Sequence, residues 1–305
     1  MIQIKQLNKS FSTKKVLENV NLTVNDGTIM GLVGINGAGK STLLRLISGV
    51  YKQEKGEIII DNEPVFNNEK IKEKIFFLPD EPYYERNTTP ASLYELYSTF
   101  YKINKAEYWE YLNKFNLPYN SPIHNFSKGM KRQVFVSLAI AIKPKYLLLD
   151  EAFDGLDPLA RLTFKKALID FVEDKKSSVI ISSHSLRELE DICDYYALID
   201  NQTIASTGEI IEKIEQIHKY QVAFEKEVKK EDFNIDFIKY EQDKRIVKVV
   251  CKEPLEEFNK KISNLNPLII DEIPIDFEEL FIIEVESRGY LKWKEHLITF
   301  SKKDY

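Results

Sequence analysis

The stretch "GINGAGKST" at residues 34–42 constrains this chain more than any other. It follows a short apolar run, "IMGLVG", and precedes Leu43, Leu44 and Ile47 at helical spacing. A strand that turns straight into a helix presents free backbone N–H groups at the helix start, where an anion is favoured. Gly34, Ile35, Asn36, Gly37, Ala38, Gly39, Lys40 and Ser41 match the phosphate-loop pattern in full, and Thr42 follows. The glycines let the backbone turn inward around a β-phosphate. Lys40 offers a mobile cation to the β and γ phosphates, and the Ser41 hydroxyl offers an oxygen to Mg²⁺.

The surrounding pattern predicts a buried parallel sheet. "YLLLD" and "SVIISSH" are short, fully apolar strands, and the segments between such strands read as helices. Before the loop, "IQIKQL" and "VNLTV" alternate as half-buried strands do, with Asn25-Asp26-Gly27 as a turn signal. "GEIIID" and "KIFFLP" read as further strands, and "YYALID" with "QTIAST" as a hairpin around Asn201. Residues 90–116 read as two helices crowded with aromatics, and 130–142 as another helix, closed by Pro144.

The strand "YLLL" ends in Asp150, and Glu151 follows. In a phosphate-loop ATPase such an aspartate organises Mg²⁺. Neighbouring strand side chains diverge, so the two acids cannot serve one metal equally. Glu151 is the natural carboxylate to polarise an attacking water, a role worth roughly 10²–10⁴ in rate. A second helix start with anion-holding character occurs at "NFSKGMKRQ", residues 125–133, where Ser127 and Gly129 precede a helix-periodic run.

"FSKGM" resembles the helix-opening motif of the ABC ATPases, and other motifs of that family appear around it in order. "YLLLDEAFDGLDP" resembles the Walker B segment followed by the D-loop, with Asp157 in the D-loop. His184 in "SSHS" resembles the switch histidine, Phe11 the aromatic that stacks on adenine, and "LPDEP" stands at the Q-loop. The resemblance covers about residues 1–218. It implies an α/β fold: a phosphate-loop core with a mixed sheet, an antiparallel N-terminal β part and a helical subdomain at about 88–143.

The same resemblance assigns catalytic roles to Glu151 and His184. It gives ATP contacts to Phe11, Gly34, Asn36, Gly37, Ala38, Gly39, Lys40, Ser41, Thr42, Ser127, Gly129 and Asp157. The Mg²⁺ side falls to Ser41, Asp80 and Asp150. Three positions depart from the pattern: Lys128 replaces the usual glycine, Asp80 replaces the Q-loop glutamine, and "KRQ" inverts the usual glutamine–arginine order. An Asp80 carboxylate reaches Mg²⁺ or its waters but adds negative charge.

Residues 219–305 are expected to form a small α+β accessory domain with a terminal helix. "YQVAF", "RIVKVVC" and "LIIDEI" are strand candidates. "EPLEEFNKKI" and "DFEELFIIEVESRG" are helix candidates, and a charged helix, "EIIEKIEQIHK", precedes them. At the end Tyr290, Trp293, Leu297 and Phe300 fall on a helical stripe. Such a stripe fits a helix docked on its own domain, or a contact helix for a partner or a membrane surface.

The formal net charge of −5, with acids and bases mixed, argues against a nucleic-acid partner. Cys193 and Cys251 fit no metal or disulfide pattern, as expected in a reducing cytosol. No secretory leader is legible, and apolar runs such as "LAIAI" are too short to span a bilayer. The resemblance implies a head-to-tail pairing of two ATPase subunits, identical or related, that enclose ATP together. It also implies a polytopic membrane permease that holds the chain peripherally at the cytoplasmic face of the membrane. The motifs resemble bacterial exporters with separate membrane subunits, of the bacitracin- and lantibiotic-immunity and phenol-soluble-modulin type. The implied cargo is amphipathic antimicrobial or toxin peptides. The alternatives are a soluble ABC ATPase acting in translation or on DNA, and an importer ATPase.

Overall fold

The computed structural model describes residues 1–173, 176–184 and 186–287. The chain divides into two compact units, Met1–Thr207 and Gly208–Tyr305.

In the first unit, β1 (Ile2–Phe11) pairs antiparallel with β2 (Lys14–Val24). Next come β3 (Ile29–Val33), α1 (Lys40–Ile47), β4 (Lys55–Ile60), β5 (Glu63–Pro64), α2 (Glu69–Lys72) and β6 (Ile75–Leu78). A helical stretch follows: α3 (Pro90–Ser98), α4 (Lys105–Lys114) and α5 (Lys128–Ile142). The chain returns through β7 (Tyr146–Asp150), α6 (Pro158–Val172), β8 (Ser178–Ser183), α7 (Leu186–Glu190), β9 (Tyr195–Asp200) and β10 (Thr203–Glu209).

Two sheets result. One is ordered β2-β1-β4-β5, with β1 antiparallel to both neighbours. The other is ordered β10-β9-β3-β8-β7-β6, and its pairs from β9 to β6 run parallel. The parallel core and antiparallel N-terminal sheet are as the sequence predicts. Alternation places Ile2, Ile4 and Leu7 of β1 inward, while β3 and β7 are buried on both faces, as their continuous apolar sequences require. Leu43, Leu44, Leu46 and Ile47 of α1 have no exposed surface and join the core that carries these strands. Truncating Leu44 to alanine there costs about 2–5 kcal/mol.

Register brings the ends of four strands level. Val33 pairs with Ser183, Asp150 with Ser182, and Leu78 with Leu149. These are the carboxyl ends of parallel strands, where open α/β sheets place their ligands.

The helices of the middle stretch begin on capping residues. Thr89 and Ser92 form a reciprocal capping box on α3, Asn104 caps α4, and Ser127 caps α5. The aromatics at 94–119 pack on one another: Trp109 lies 4.8 Å from Tyr119 and 5.2 Å from Tyr108, which is fully buried. Tyr108 is thus core between these helices, Tyr97 and Tyr101 pack on Phe76 of β6, and Phe100 is exposed.

The second unit begins with α8 (Ile210–Glu215), followed by β11 (His218–Phe224), β12 (Lys239–Asp243), β13 (Ile246–Cys251), α9 (Leu255–Ile262), β14 (Pro267–Ile273) and α10 (Phe277–Ser287). Its sheet is ordered β12-β13-β11-β14. The charged helix stops at Glu215, short of the predicted 219, because Lys219 pairs with both Val250 and Ile273. Two strand partners satisfy the backbone there better than one more helical turn. Tyr220, Val222 and Phe224 point into a core with Val247, Val249, Phe258 and Ile262, and Tyr220 stacks on Phe258 at 4.1 Å. Cys251 is buried in this core, and both cysteines are free thiols. The stripe from Tyr290 to Phe300 lies outside the described residues.

Candidate functional site

The loop after β3 turns on glycines. Gly39 has φ of 111°, and a Cβ there would lie 2.9 Å from Leu17 Cδ2 and 3.1 Å from the Val16 carbonyl. Only glycine fits this left-handed, crowded position. Gly39 caps α1 without a side-chain hydrogen bond, so the free N–H groups of the first turn face the cavity.

Lys40, the first residue of α1, folds back over the loop. Its Nζ donates to the Gly34 carbonyl at 2.6 Å and lies 3.2 Å from Glu151 Oε1. The side chain is almost fully buried, so this charge has partners of its own before any anion enters. Ser41 Oγ donates to Asp150 Oδ1 at 3.0 Å, and Ser182 Oγ donates to the same oxygen at 2.7 Å. Asp150 is wholly buried, and its other oxygen, Oδ2, has no hydrogen-bond partner among the described residues. A buried carboxylate oxygen left unpaired is costly. A hard divalent cation is the partner that fits it, with the Ser41 hydroxyl adjacent. No group of three or more acidic, histidine or cysteine residues placed to hold a metal ion occurs among the described residues. One carboxylate with a hydroxyl suits Mg²⁺ carried in on a phosphate chain.

Glu151 sits just past the strand at φ of 48°, a strained value for a non-glycine residue. Its N–H is held by the Ser182 carbonyl at 3.1 Å and Ser182 Oγ at 3.0 Å. Oε2 accepts from the His184 backbone N–H at 3.3 Å and meets His184 Nδ1 at 2.8 Å. Burial alone would raise the Glu151 pKa. The His184 hydrogen bond and the charges of Lys40 and His184 outweigh it, and the carboxyl is held below its ordinary value. The reciprocal effect on His184 is upward: the hydrogen bond to Glu151 outweighs the cost of burial.

The cavity, of about 670 Å³, gathers Phe11, Asn36, Gly37, Gly39, Lys40, Ser41, Thr42, Asp80 and Glu151. Gly34 acts beneath it through its carbonyl, Asp150 through Ser41, and His184 through Glu151. Phe11 is 43% exposed, packs edge-on against Tyr51 at 5.4 Å, and carries Lys9 Nζ 5.1 Å from its ring. An exposed, braced ring of this kind can receive a flat base.

Ser127, Gly129 and Asp157 do not line this cavity. Ser127 Oγ caps α5 by accepting from the Met130 N–H at 3.2 Å, and Asp157 Oδ1 caps α6 by accepting from the Ala160 N–H at 2.9 Å. Gly129 abuts the loop between β7 and α6. A Cβ there would fall 2.4 Å from the Gly155 carbonyl oxygen. Lys128 lies against Gly155 and forms an ion pair with Asp154, so the lysine in a glycine position has a local anion.

Several contributors escape sequence reasoning. Lys14, Lys15, Val16 and Gln202 also line the cavity. The paired lysines just after Phe11 are a legible signal, since two cations beside a phosphate loop favour an anion. Gln202 carries none: it arrives through the turn before β10, where its carbonyl accepts from the Glu18 N–H at 2.7 Å. Ser182 holds Asp150 and Glu151 from the buried strand β8.

The family model "ABC transporter" matches residues 17–154. The ABC transporter ATP-binding protein YtrB of Bacillus subtilis is 29% identical over 96% of this chain and 100% of its own length. The lantibiotic transport ATP-binding protein SrtF of Streptococcus pyogenes is 29% identical over 74% of this chain and 99% of its own. The lipopolysaccharide export system ATP-binding protein LptB of Haemophilus influenzae is 32% identical over 68% of this chain and 90% of its own. A solved ATP-binding subunit of an ABC transporter superposes with a TM-score of 0.65 at 28% identity, covering 71% of this chain and 92% of that one.

Proposed function

The chain belongs to the ABC transporter ATP-binding proteins, as an ATPase whose hydrolysis is coupled to transport, and on that premise we propose that it drives export through a separate membrane-spanning subunit. The working unit is a head-to-tail pair of ATPase subunits, either two copies of this chain or this chain with a related one. ATP is enclosed by the Lys40 loop of one and the Ser127–Gly129 helix start of the other.

The observation that carries this reading is the division of the anion-holding groups. Lys40, Ser41 and the N–H groups of α1 surround the cavity, whereas exposed Ser127 lies outside it at the start of a fifteen-residue helix. A second phosphate-grade helix start that misses its own chain's cavity is suited to a neighbour's nucleotide. Two-fold symmetry then completes both sites with the same residues.

Within each site Lys40 leaves Glu151 for the phosphates, and the N–H groups of α1 hold the β-phosphate. Ser41, Asp150 and Asp80 would hold the Mg²⁺ side. Bound Mg-ATP supplies the phosphoryl group and a cation that offsets its charge. Glu151, ionised and oriented by His184, polarises the attacking water. Phe11 stacks on adenine, and Asp157 stands at the subunit boundary. Hydrolysis weakens the contact between subunits, and opening and closing is the stroke.

No helix among the described residues is long and apolar enough to cross a membrane; the proposed span is a separate permease subunit. The "PYYERN" segment, with Tyr83 87% exposed, is the surface offered to that permease. The permease would hold the chain at the cytoplasmic face. The export direction follows the name of one relative, for lipopolysaccharide export, and the cargo class that of another, for lantibiotic transport, while a relative named for methionine import shares the cassette. Amphipathic peptides are the proposed cargo. The domain reading keeps residues 1–218 as the ATPase and 219–305 as an accessory domain that contacts the second subunit.

The test is purification of the chain from native membranes with its bound polytopic partner, followed by transport in inside-out vesicles. ATP-dependent uptake of a labelled amphipathic peptide by those vesicles is expected. Co-purification with ribosomes or DNA in place of a polytopic protein would overturn the reading.

A further inference from the structure

Arg132 is almost fully buried in the second turn of α5, yet its guanidinium bonds residues outside that helix. Its guanidinium reaches instead to the segment after β6. Nη1 donates to the Pro79 carbonyl at 3.0 Å, and Nη2 donates to the Asp80 carbonyl and to Asp80 Oδ1, both at 2.7 Å. Asp80 then lines the nucleotide cavity with Ser41 and Glu151. Two of the three departures from the family pattern are thereby partners. An acid and a base meet across two elements that lie some fifty residues apart in sequence.

A planar fork bonding two carbonyls and a carboxylate fixes both position and orientation, which a single-point donor cannot do. Because Arg132 takes Oδ1, the Asp80 carboxylate is held with a defined direction at the cavity wall. The other end of the link is a helix whose first turn, roughly one and a half turns away, carries Ser127. One buried side chain thus joins the wall of a copy's own cavity to the helix start that, on the reading above, serves its partner's ATP.

We infer that Arg132 is a positioning residue that couples the two nucleotide sites, by tying Asp80 on the Mg²⁺ side of one site to the α5 start that closes the other. The inference rests on the dimer reading. Asp80 senses the bound nucleotide, Arg132 moves with Asp80, and α5 moves with Arg132 as a rigid helix.

The experiment uses full-length protein in the Glu151→Gln background, where hydrolysis is slowed. The ATP concentration for half-maximal dimerisation is measured by sizing in Mg²⁺, and monomer affinity is measured separately with a fluorescent nucleotide. Arg132→Gln is expected to raise the dimerisation midpoint tenfold or more while nucleotide affinity shifts less than threefold. Arg132→Lys keeps a buried cation without the fork and covers the case in which Arg132→Gln alone fails to fold; its midpoint is likewise expected to rise tenfold or more. A midpoint within twofold of the parent for either folded variant would overturn the inference and leave the dimer standing. A Glu151→Gln parent that stays monomeric in Mg-ATP would instead overturn the dimer reading, and this inference with it.

Discussion

Lys40 Nζ and Glu151 Oε1 lie 3.2 Å apart at the floor of the cavity. The cation of the phosphate loop and the acid beyond β7 therefore neutralise each other before nucleotide arrives. Both are largely buried, and an uncompensated charge there would be costly. On the proposed function, ATP replaces Glu151 as the partner of Lys40, which frees the carboxylate at the moment a phosphate is present to be attacked.

Lys40→Ala removes that exchange. Nucleotide affinity is expected to fall at least tenfold and turnover to vanish, because the loop's cation for the β and γ phosphates is lost. Equilibrium binding of a fluorescent ATP analogue, with phosphate release in parallel, checks both. Affinity and hydrolysis equal to those of the parent would remove the loop assignment.

Glu151→Gln keeps the shape of the side chain and loses its charge. ATP binding is expected to persist while hydrolysis drops by roughly 10²–10⁴. The protein then accumulates as an ATP-dependent dimer. Light scattering with and without Mg-ATP reads this directly, and a monomer in both conditions counts against shared sites.

The Glu151–His184 contact predicts a pH signature. His184 is raised above its ordinary 6.5 by its hydrogen bond to Glu151. Its stabilising contribution is therefore fully present below about pH 6.5 and is lost as pH rises through the elevated folded value. Glu151 is held below its ordinary 4.5, because the His184 bond and the Lys40 charge outweigh burial. Its contribution is present above about pH 4.5 and is lost as pH falls through the lowered folded value. Imidazole resonances followed by NMR in nucleotide-free protein should show His184 titrating above 6.5. In Glu151→Gln that titration should move downward; an unchanged midpoint would mean that the carboxylate does not hold the ring.

Gly129→Ala places a methyl group 2.4 Å from the Gly155 carbonyl oxygen. Backbone must give way, and the start of α5 is expected to shift while the rest of the fold, built on other strands, remains. Loss of ATP-driven dimerisation by tenfold or more, with nucleotide binding to the monomer retained, is the expected pattern. Sizing and nucleotide titration of the same preparation separate the two effects.

The order of motifs, the phosphate loop and the buried parallel strands were legible in the sequence because each rests on local chemistry. Gly39 needs a left-handed backbone, Lys40 follows it by chain connectivity, and "YLLLD" is apolar throughout because both of its faces are covered. The helix predicted through Lys219 stops at Glu215, since helical periodicity there yields to the pairing of β11 with β13 and β14, which lie farther along the chain.

Only the tertiary structure decided which groups meet. Register across β6, β7, β8 and β3 brings Asp80, Asp150, Ser182 and the loop together at the carboxyl end of the sheet, through pairings between segments far apart in sequence. The bond from Arg132 to Asp80 and the exclusion of Ser127 from its own cavity are of the same kind. The sequence by itself determined the phosphate chemistry, because backbone conformation and side-chain type are local properties. The fold decided the partnerships, because they depend on distances between segments that only packing brings together.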